Sequence, residues 1–245
     1  MSPHAKRCRM PLSHKPIAPR DRLIVPLDVP TNEEAIALID RLGDAVTFYK
    51  VGLELIIGGR YLELVDLLIR RDKKIMLDGK FFDVPETVRS AVRQAAKSRV
   101  TFCTVHGNDE MLRAAAEVKG AMKILAVTVL TSLDDGDLRD LGFQCDAATL
   151  VTSRAKRALE IGCDGVVSSG LEAAPLRDHL GDRFLIVTPG IRPVKNVDDQ
   201  KRTVDVDDAF RNGADYIVVG RPIRNAADPR AAAENVQRRI SALFG

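Results

Sequence analysis

The sequence predicts an α/β chain folded as a single-domain (β/α)8 (TIM) barrel, and three observations lead there. Eight short, apolar, β-branched runs alternate with eight longer stretches of helical pattern, and such alternation implies βαβ units on a parallel sheet. The chain has 245 residues, close to the roughly 250 that one such barrel occupies. Most connections are short and no linker divides the chain. Eight units in this length therefore suit a closed barrel better than an open doubly wound sheet.

The elements follow in order. The run 23–27 precedes a helix over 31–42, whose start, Thr31-Asn32-Glu33-Glu34, combines a cap residue with early acids. The run 46–51 leads to a helix over 60–72, and 74–77 to one over 85–98, where Ala91, Ala95 and Ala96 favour helix. The run 100–105 precedes 109–119, with Ala114, Ala115 and Ala116 inside it. Then come 124–130 before 145–161, 165–168 before 171–178, 184–188 before 206–212, and 216–219 before 229–243. Residues 189–206 carry proline and glycine with little period, and a long loop in a compact domain is often functional.

Composition excludes several classes. The formal charge of +3 is carried by the N-terminus. Residues 1–20 hold Lys6, Arg7, Arg9, Lys15 and Arg20 and no acid, so the remainder has 32 basic against 34 acidic residues. The body is not a nucleic-acid surface by charge, and with no tryptophan and 4% aromatics it offers no base-stacking platform. Residues 1–20 read as a disordered basic extension and 21–245 as the barrel. No apolar run approaches the ~18–20 residues of a membrane span. Cys8, Cys103, Cys145 and Cys163 form no C-x-x-C pair and the four histidines are scattered, so no zinc spacing appears and free thiols in a reducing cytoplasm are expected. Dinucleotide and Walker-type glycine motifs are missing as well.

The most informative segment is Asp78-Gly79-Lys80-Phe81-Phe82-Asp83-Val84-Pro85, after the run 74–77. On a strand, Asp78 and Lys80 point to one face, and Asp83 falls where the chain turns. Buried charges cost several kcal/mol unless paired, so acid, base, acid at a strand end points to chemistry. The competing reading is one structural Lys–Asp pair. In this fold sites lie at the C-terminal ends of the strands, and those ends hold Asp28, Lys50, Asp78, Lys80, His106, Thr131 and Ser132. Two lysines and three aspartates thus converge on one mouth. The last two ends, Thr188-Pro189-Gly190-Ile191-Arg192-Pro193 and Val219-Gly220-Arg221-Pro222, suit phosphate: glycine lets the backbone approach and arginine supplies forked donors. His106 suits a catalytic base, and at least as well a hydrogen-bonded histidine beside the mouth; Ser168, Ser169 and the aspartates 198, 199, 205, 207 and 208 read better as structural or solvated groups.

Together, these strings and Thr104-Val105-His106-Gly107 resemble the orotidine 5′-phosphate decarboxylase family in its shorter bacterial form, from about Arg22 to Phe244. Asp-x-Lys-x-x-Asp alone also fits sugar-phosphate decarboxylases and synthases, which need a divalent metal; a non-catalytic binding module is a third reading. The resemblance implies conversion of orotidine 5′-monophosphate to uridine 5′-monophosphate, the last step of de novo UMP synthesis, without cofactor or metal. It implies that Lys80 donates the proton to C6, that Asp78 lies near the substrate carboxylate, and that Lys50 and Asp83 complete a Lys-Asp-Lys-Asp array. It implies a homodimer in which Asp83 and Thr87 serve the neighbouring site. Asp28 and Lys50 would hold the ribose, Thr131 or Ser132 the pyrimidine, and Arg192, Gln200, Gly220 and Arg221 the phosphate. No nucleic acid or membrane partner is implied. Gly79 stands where a larger residue is common; pointing away from the mouth, it is expected to matter little.

Overall fold

The computed structural model describes residues 12–192 and 204–245. In chain order the elements are β1 (Leu23–Pro26), α1 (Asn32–Leu42), β2 (Phe48–Gly52), α2 (Leu53–Ile57), α3 (Tyr61–Arg70), β3 (Lys74–Phe81), α4 (Pro85–Lys97), β4 (Phe102–His106) and α5 (Asp109–Ala116). There follow β5 (Lys123–Val127), α6 (Asp135–Asp140), α7 (Ala147–Ile161), β6 (Gly165–Val167), α8 (Ala173–Leu180), β7 (Leu185–Thr188), α9 (Val206–Arg211), β8 (Tyr216–Val218), α10 (Arg221–Arg224) and α11 (Pro229–Phe244). The strands close in sequence order, β1 pairing with β8, and every pairing is parallel.

The alternation of each strand divides the apolar residues between two cores. Outward-facing residues such as Leu23, Val25, Val51 and Ile75 pack under the helices. Inward-facing Ile24, Phe48, Met76, Phe102, Leu125, Leu185, Tyr216 and Val218 fill the barrel. Phe48, Phe102 and Tyr216 form a plug, with ring centroids 5.1–5.9 Å apart and two edge-on contacts. With its lower half filled by rings, the barrel has room for polar groups only nearer the C-terminal ends of the strands. The helix start at Thr31 is capped as the sequence suggests, Thr31 accepting from Glu34 N–H, and Asp228 caps α11 by accepting from Ala231 N–H.

The expected domain boundary at residue 20 needs correction. Residues 13–20 belong to the folded body, because fully buried Asp215 needs them. Its Oδ1 accepts from Ser13 Oγ at 2.5 Å and from Lys15 Nζ at 3.1 Å; its Oδ2 accepts from Arg177 Nη2 at 2.7 Å and Ile186 N–H at 2.9 Å. Ile17 adds apolar cover to the inner core. A lone buried carboxylate is prohibitive, whereas one with two cations and four donors is satisfied. Residues 1–11 lie outside those described. The short helices α2, α6 and α10 were not expected from the periodicity, since four to six residues hold too little of a 3.6-residue period to show it.

Asp215→Asn should destabilise the fold by about 3 kcal/mol, because it strands Lys15 and Arg177 against a neutral amide. Urea unfolding of the two proteins measures this. An unchanged midpoint would mean that the network contributes nothing.

Candidate active site

The upper half of the barrel opens into a cavity of about 480 Å³. Its charged wall comes from β1–β3 and the loops after them, through Asp28, Lys50, Asp78 and Lys80. Its apolar wall comes from Val127, Val129, Leu130, Val167 and Val218. The far side carries Pro189, Gly190, Arg192, Gly220 and Arg221 from the loops after β7 and β8. A charged end, an apolar flank and a glycine–arginine end suit a small molecule that is part ring and part anion.

Register explains how the charges meet. Gly52 on β2 lies opposite Asp78 on β3, with Lys50 opposite Met76, so Lys50 projects beside Asp78 from the neighbouring strand. Lys50 Nζ stands 3.0 Å from Asp28 Oδ1 and 3.3 Å from Asp78 Oδ2. Lys80 Nζ stands 2.9 Å from the same Asp78 oxygen. Simple alternation does not place Lys80. Between the pairs Leu77–Cys103 and Phe81–Val105 the register shifts, so that Asp78, Gly79 and Lys80 stand opposite Thr104 alone. Lys80 takes a φ of +45°, sparsely populated for a residue with a Cβ. The bulge aims both side chains at the mouth by a different route from a regular strand. Thr104, fully buried, accepts from Lys80 N–H at 2.9 Å and donates to Asp78 Oδ1 at 3.0 Å.

These neighbours set the charge states. Burial works against the ammonium of Lys50, but Asp78 and Asp28 outweigh it and hold its pKa above the ordinary lysine value. Burial likewise pushes the Asp78 carboxyl up, and Lys50 and Lys80 outweigh it, so its pKa is depressed. Lys50 therefore contributes its full stabilisation below the ordinary lysine pKa of about 10.4 and loses it as pH rises through the raised value. Asp78 contributes fully above about 3.9 and loses it as pH falls through the depressed value. Lys50 and Asp78 therefore stay ionised across the whole neutral range.

The other expected residues fall into three groups. Thr131 lines the cavity, as do Asp28, Arg192, Gly220 and Arg221; Ser132 is not among the lining residues. Gly190 has a φ of +76°, which favours glycine, and a Cβ on Gly220 would lie 3.0 Å from Pro26 Cγ, so a larger residue there would crowd that ring. Asp83 and Thr87 are exposed on the rim, outside this cavity, with Asp83 Oδ1 accepting from Val84 N–H. Gln200 lies outside the described residues. Among the alternatives, Glu172 Oε2 accepts from the Ser168 hydroxyl at 2.6 Å and from Ser169 N–H at 2.8 Å, and the Ser169 hydroxyl accepts from Leu171 N–H at 3.3 Å. His106 meets the Phe82 ring edge-on; burial, then Arg154 and Lys80, lower its pKa. Among the described residues no three His, Cys, Asp or Glu side chains are arranged to hold a metal ion.

Three features escaped the sequence reading. Arg224 lines the cavity and donates to the main-chain oxygen of Asp28, tying the loop after β8 to that after β1. Thr104 was seen only as part of a strand end. A Cβ at Gly79 would lie 2.7 Å from Phe81 Cε1, so a larger residue there requires the ring to move.

Comparison with known proteins agrees with this fold. Residues 21–236 match the model of the "Orotidine 5'-phosphate decarboxylase / HUMPS family". The orotidine 5′-phosphate decarboxylase of Methylococcus capsulatus is 63% identical over 235 residues, 95% of this chain and 97% of that one. That of Xanthomonas oryzae pv. oryzae is 52% identical over 233 residues, 94% and 96% of the two chains. The crystal structure of the Lactobacillus acidophilus orotidine 5′-phosphate decarboxylase superposes with a TM-score of 0.81 at 37% identity, covering 90% of this chain and 99% of that one.

Replacing Asp78 by Asn should lower the Lys50 pKa, since burial would then be opposed only by half-exposed Asp28. NMR titration of the lysine side chains in the two proteins reads this directly. A Lys50 value unmoved by the substitution would deny that Asp78 controls it.

Proposed function

The chain belongs to the orotidine 5′-phosphate decarboxylase / HUMPS family, and we propose that it decarboxylates orotidine 5′-monophosphate through Lys80, Asp78 and Lys50, with Asp83 supplied by a second subunit. The observation that carries this is one Asp78 oxygen shared by two lysine ammoniums at 2.9 and 3.3 Å, at one end of a cavity whose other end is glycine and arginine.

In the proposed chemistry the phosphate docks on Arg192, Gly220 and Arg221, joined by Gln200. The ribose sits over Asp28 and Lys50, and the pyrimidine meets Thr131 and the valine wall. Arg192 and Arg221 suit phosphate because a guanidinium offers a fixed fork of donors. This places the ring with its carboxylate toward Asp78. Two negative charges at close quarters repel, and loss of carbon dioxide shifts one of them from the carboxylate onto C6, beside the Lys80 ammonium. When the C6–carboxylate bond breaks, its electron pair remains on C6. The Lys80 ammonium stabilises that charge, then its N–H bond breaks as the C6–H bond forms. Asp78 and Lys50 hold the ammonium still, so little reorganisation is needed at the moment of reaction. The sequence and described residues offer this chemistry without a metal or organic cofactor, and turnover that persists in EDTA separates it from metal-dependent relatives.

The second subunit is supported by what surrounds Asp83. Phe82 is 66% and Val84 62% exposed, and Leu53 and Ile57 of α2, which packs beside β3, are 56% and 81% exposed. Large exposed apolar side chains flanking a charged residue, as Phe82 and Val84 flank Asp83, mark a protein interface. In a two-fold dimer such a patch meets its own copy, carrying Asp83 and Thr87 to the neighbouring mouth. The proposed setting is a reducing cytoplasm, where buried Cys103 and Cys163 remain thiols. Among the described residues no helix is long and apolar enough to cross a membrane.

Lys80→Ala and Asp83→Asn should each lose turnover of orotidylate, measured by its absorbance, while Lys80→Ala still binds uridylate. Mixing and reassociating the two inactive proteins should restore about a quarter of wild-type activity, since half the dimers are mixed and each carries one intact site. No recovery from a confirmed mixed dimer would place Asp83 in its own subunit's site.

A further inference from the structure

The bulge in β3 raises a problem that one hydroxyl solves. Three β3 residues face a single β4 residue, so Lys80 N–H has lost the ladder partner that regular pairing gives. A buried amide without an acceptor is costly. Lys80 also sits at φ +45°, which persists only where its surroundings enforce it. Thr104 Oγ1 accepts that N–H at 2.9 Å and, with its one hydrogen, donates to Asp78 Oδ1 at 3.0 Å. The proton arrangement is forced: an ionised carboxylate can only accept and an amide can only donate. Asp78 Oδ1 is thereby taken by Thr104, and Oδ2 is left for Lys80 at 2.9 Å and Lys50 at 3.3 Å.

We propose that Thr104 is the positioning residue of the proton donor. Through one fully buried hydroxyl it fixes both the backbone of Lys80 and the carboxylate that steers its ammonium. It does not line the cavity, so it acts through the two residues it holds. This role rests on Lys80 being the proton donor. The chemistry depends on placement because shifts near 1 Å in a reacting group can cost about a hundredfold in rate. Substrate affinity is set elsewhere, by the glycine–arginine end and the ribose contacts.

Thr104→Val keeps the shape of the side chain and removes both bonds; Thr104→Ser keeps the hydroxyl. In a folded Thr104→Val enzyme kcat for orotidylate should fall on the order of 10- to 100-fold. The KM, and the Kd of uridylate, should change by no more than about threefold. Thr104→Ser should stay within about threefold of wild type in all three, on the same scale of discrimination. Hydrogen exchange of the Lys80 amide supplies a readout without turnover: protected in wild type and Thr104→Ser, and fast in Thr104→Val. If Thr104→Val does not fold, Thr104→Ala makes the same comparison without overpacking. A folded hydroxyl-free variant with near wild-type kcat, or with Lys80 still protected, overturns the proposal. So does a Thr104→Ser enzyme as impaired as Thr104→Val, which marks a packing role. A wild-type protein without orotidylate turnover defeats the decarboxylase assignment itself, and the exchange of the Lys80 amide still decides what Thr104 holds.

Discussion

The Asp78 carboxylate is the constraint around which the upper barrel is arranged. It is buried and ionised, and it survives there because Lys50, Lys80 and Thr104 share its two oxygens at 2.9–3.3 Å. Those partners come from three adjacent strands, so the cluster exists only if β2, β3 and β4 keep their register. The aromatic plug formed by Phe48, Phe102 and Tyr216 fills the space below. Without that filling, water would reach the pairs and weaken each of them by raising the effective dielectric constant. Packing low in the barrel and electrostatics high in it are therefore one design.

The same cluster accounts for the division of labour across the cavity. The acid–base cluster lies on the β1–β3 side, valines and Leu130 from β5, β6 and β8 line a flank, and Arg192, Arg221 and Arg224 stand after β7 and β8. In the proposed reaction the apolar side shelters the ring, and the lysines meet the charge that develops on it. Asp83 stands outside this cavity between exposed Phe82 and Val84, and Leu53 and Ile57 of α2 are exposed as well. The proposed dimer buries that patch and completes the site with one structural change, the meeting of two copies. Catalytic competence and assembly would then be linked by residues a few positions apart in sequence.

How much of this was legible in the sequence follows from the range of the forces involved. All eight strands were legible, because their apolar runs repeat with short connections and each run lies within a few residues of an observed strand. The charged strand ends were legible because a barrel puts its chemistry there, and Asp28, Lys50, Asp78, Lys80, Thr131, Arg192, Gly220 and Arg221 do share one cavity. The bulge was not legible. It depends on how β3 meets β4, and no local pattern in Asp78-Gly79-Lys80 announces that three residues will face Thr104 alone. Gly79 looked neutral for the same reason, since its crowding comes from Phe81 folding back over it. Ser13 and Lys15 looked like part of a disordered tail because their partner, Asp215, lies some 200 positions away, and composition carries no record of such a contact. Arg224 was hidden behind a tight turn whose Gly-Arg-Pro already explained itself.

The central claim is that this cluster delivers the Lys80 ammonium to C6 of the pyrimidine. Proton delivery must run both ways, so the enzyme should also remove the C6 hydrogen of uridine 5′-monophosphate. The direct measurement is NMR of that hydrogen in deuterium oxide with bound nucleotide. Wild-type protein should exchange it for deuterium, and Lys80→Met, loaded with the same nucleotide, should not. Exchange at the wild-type rate in Lys80→Met would contradict the account, because another group would then be handling the proton.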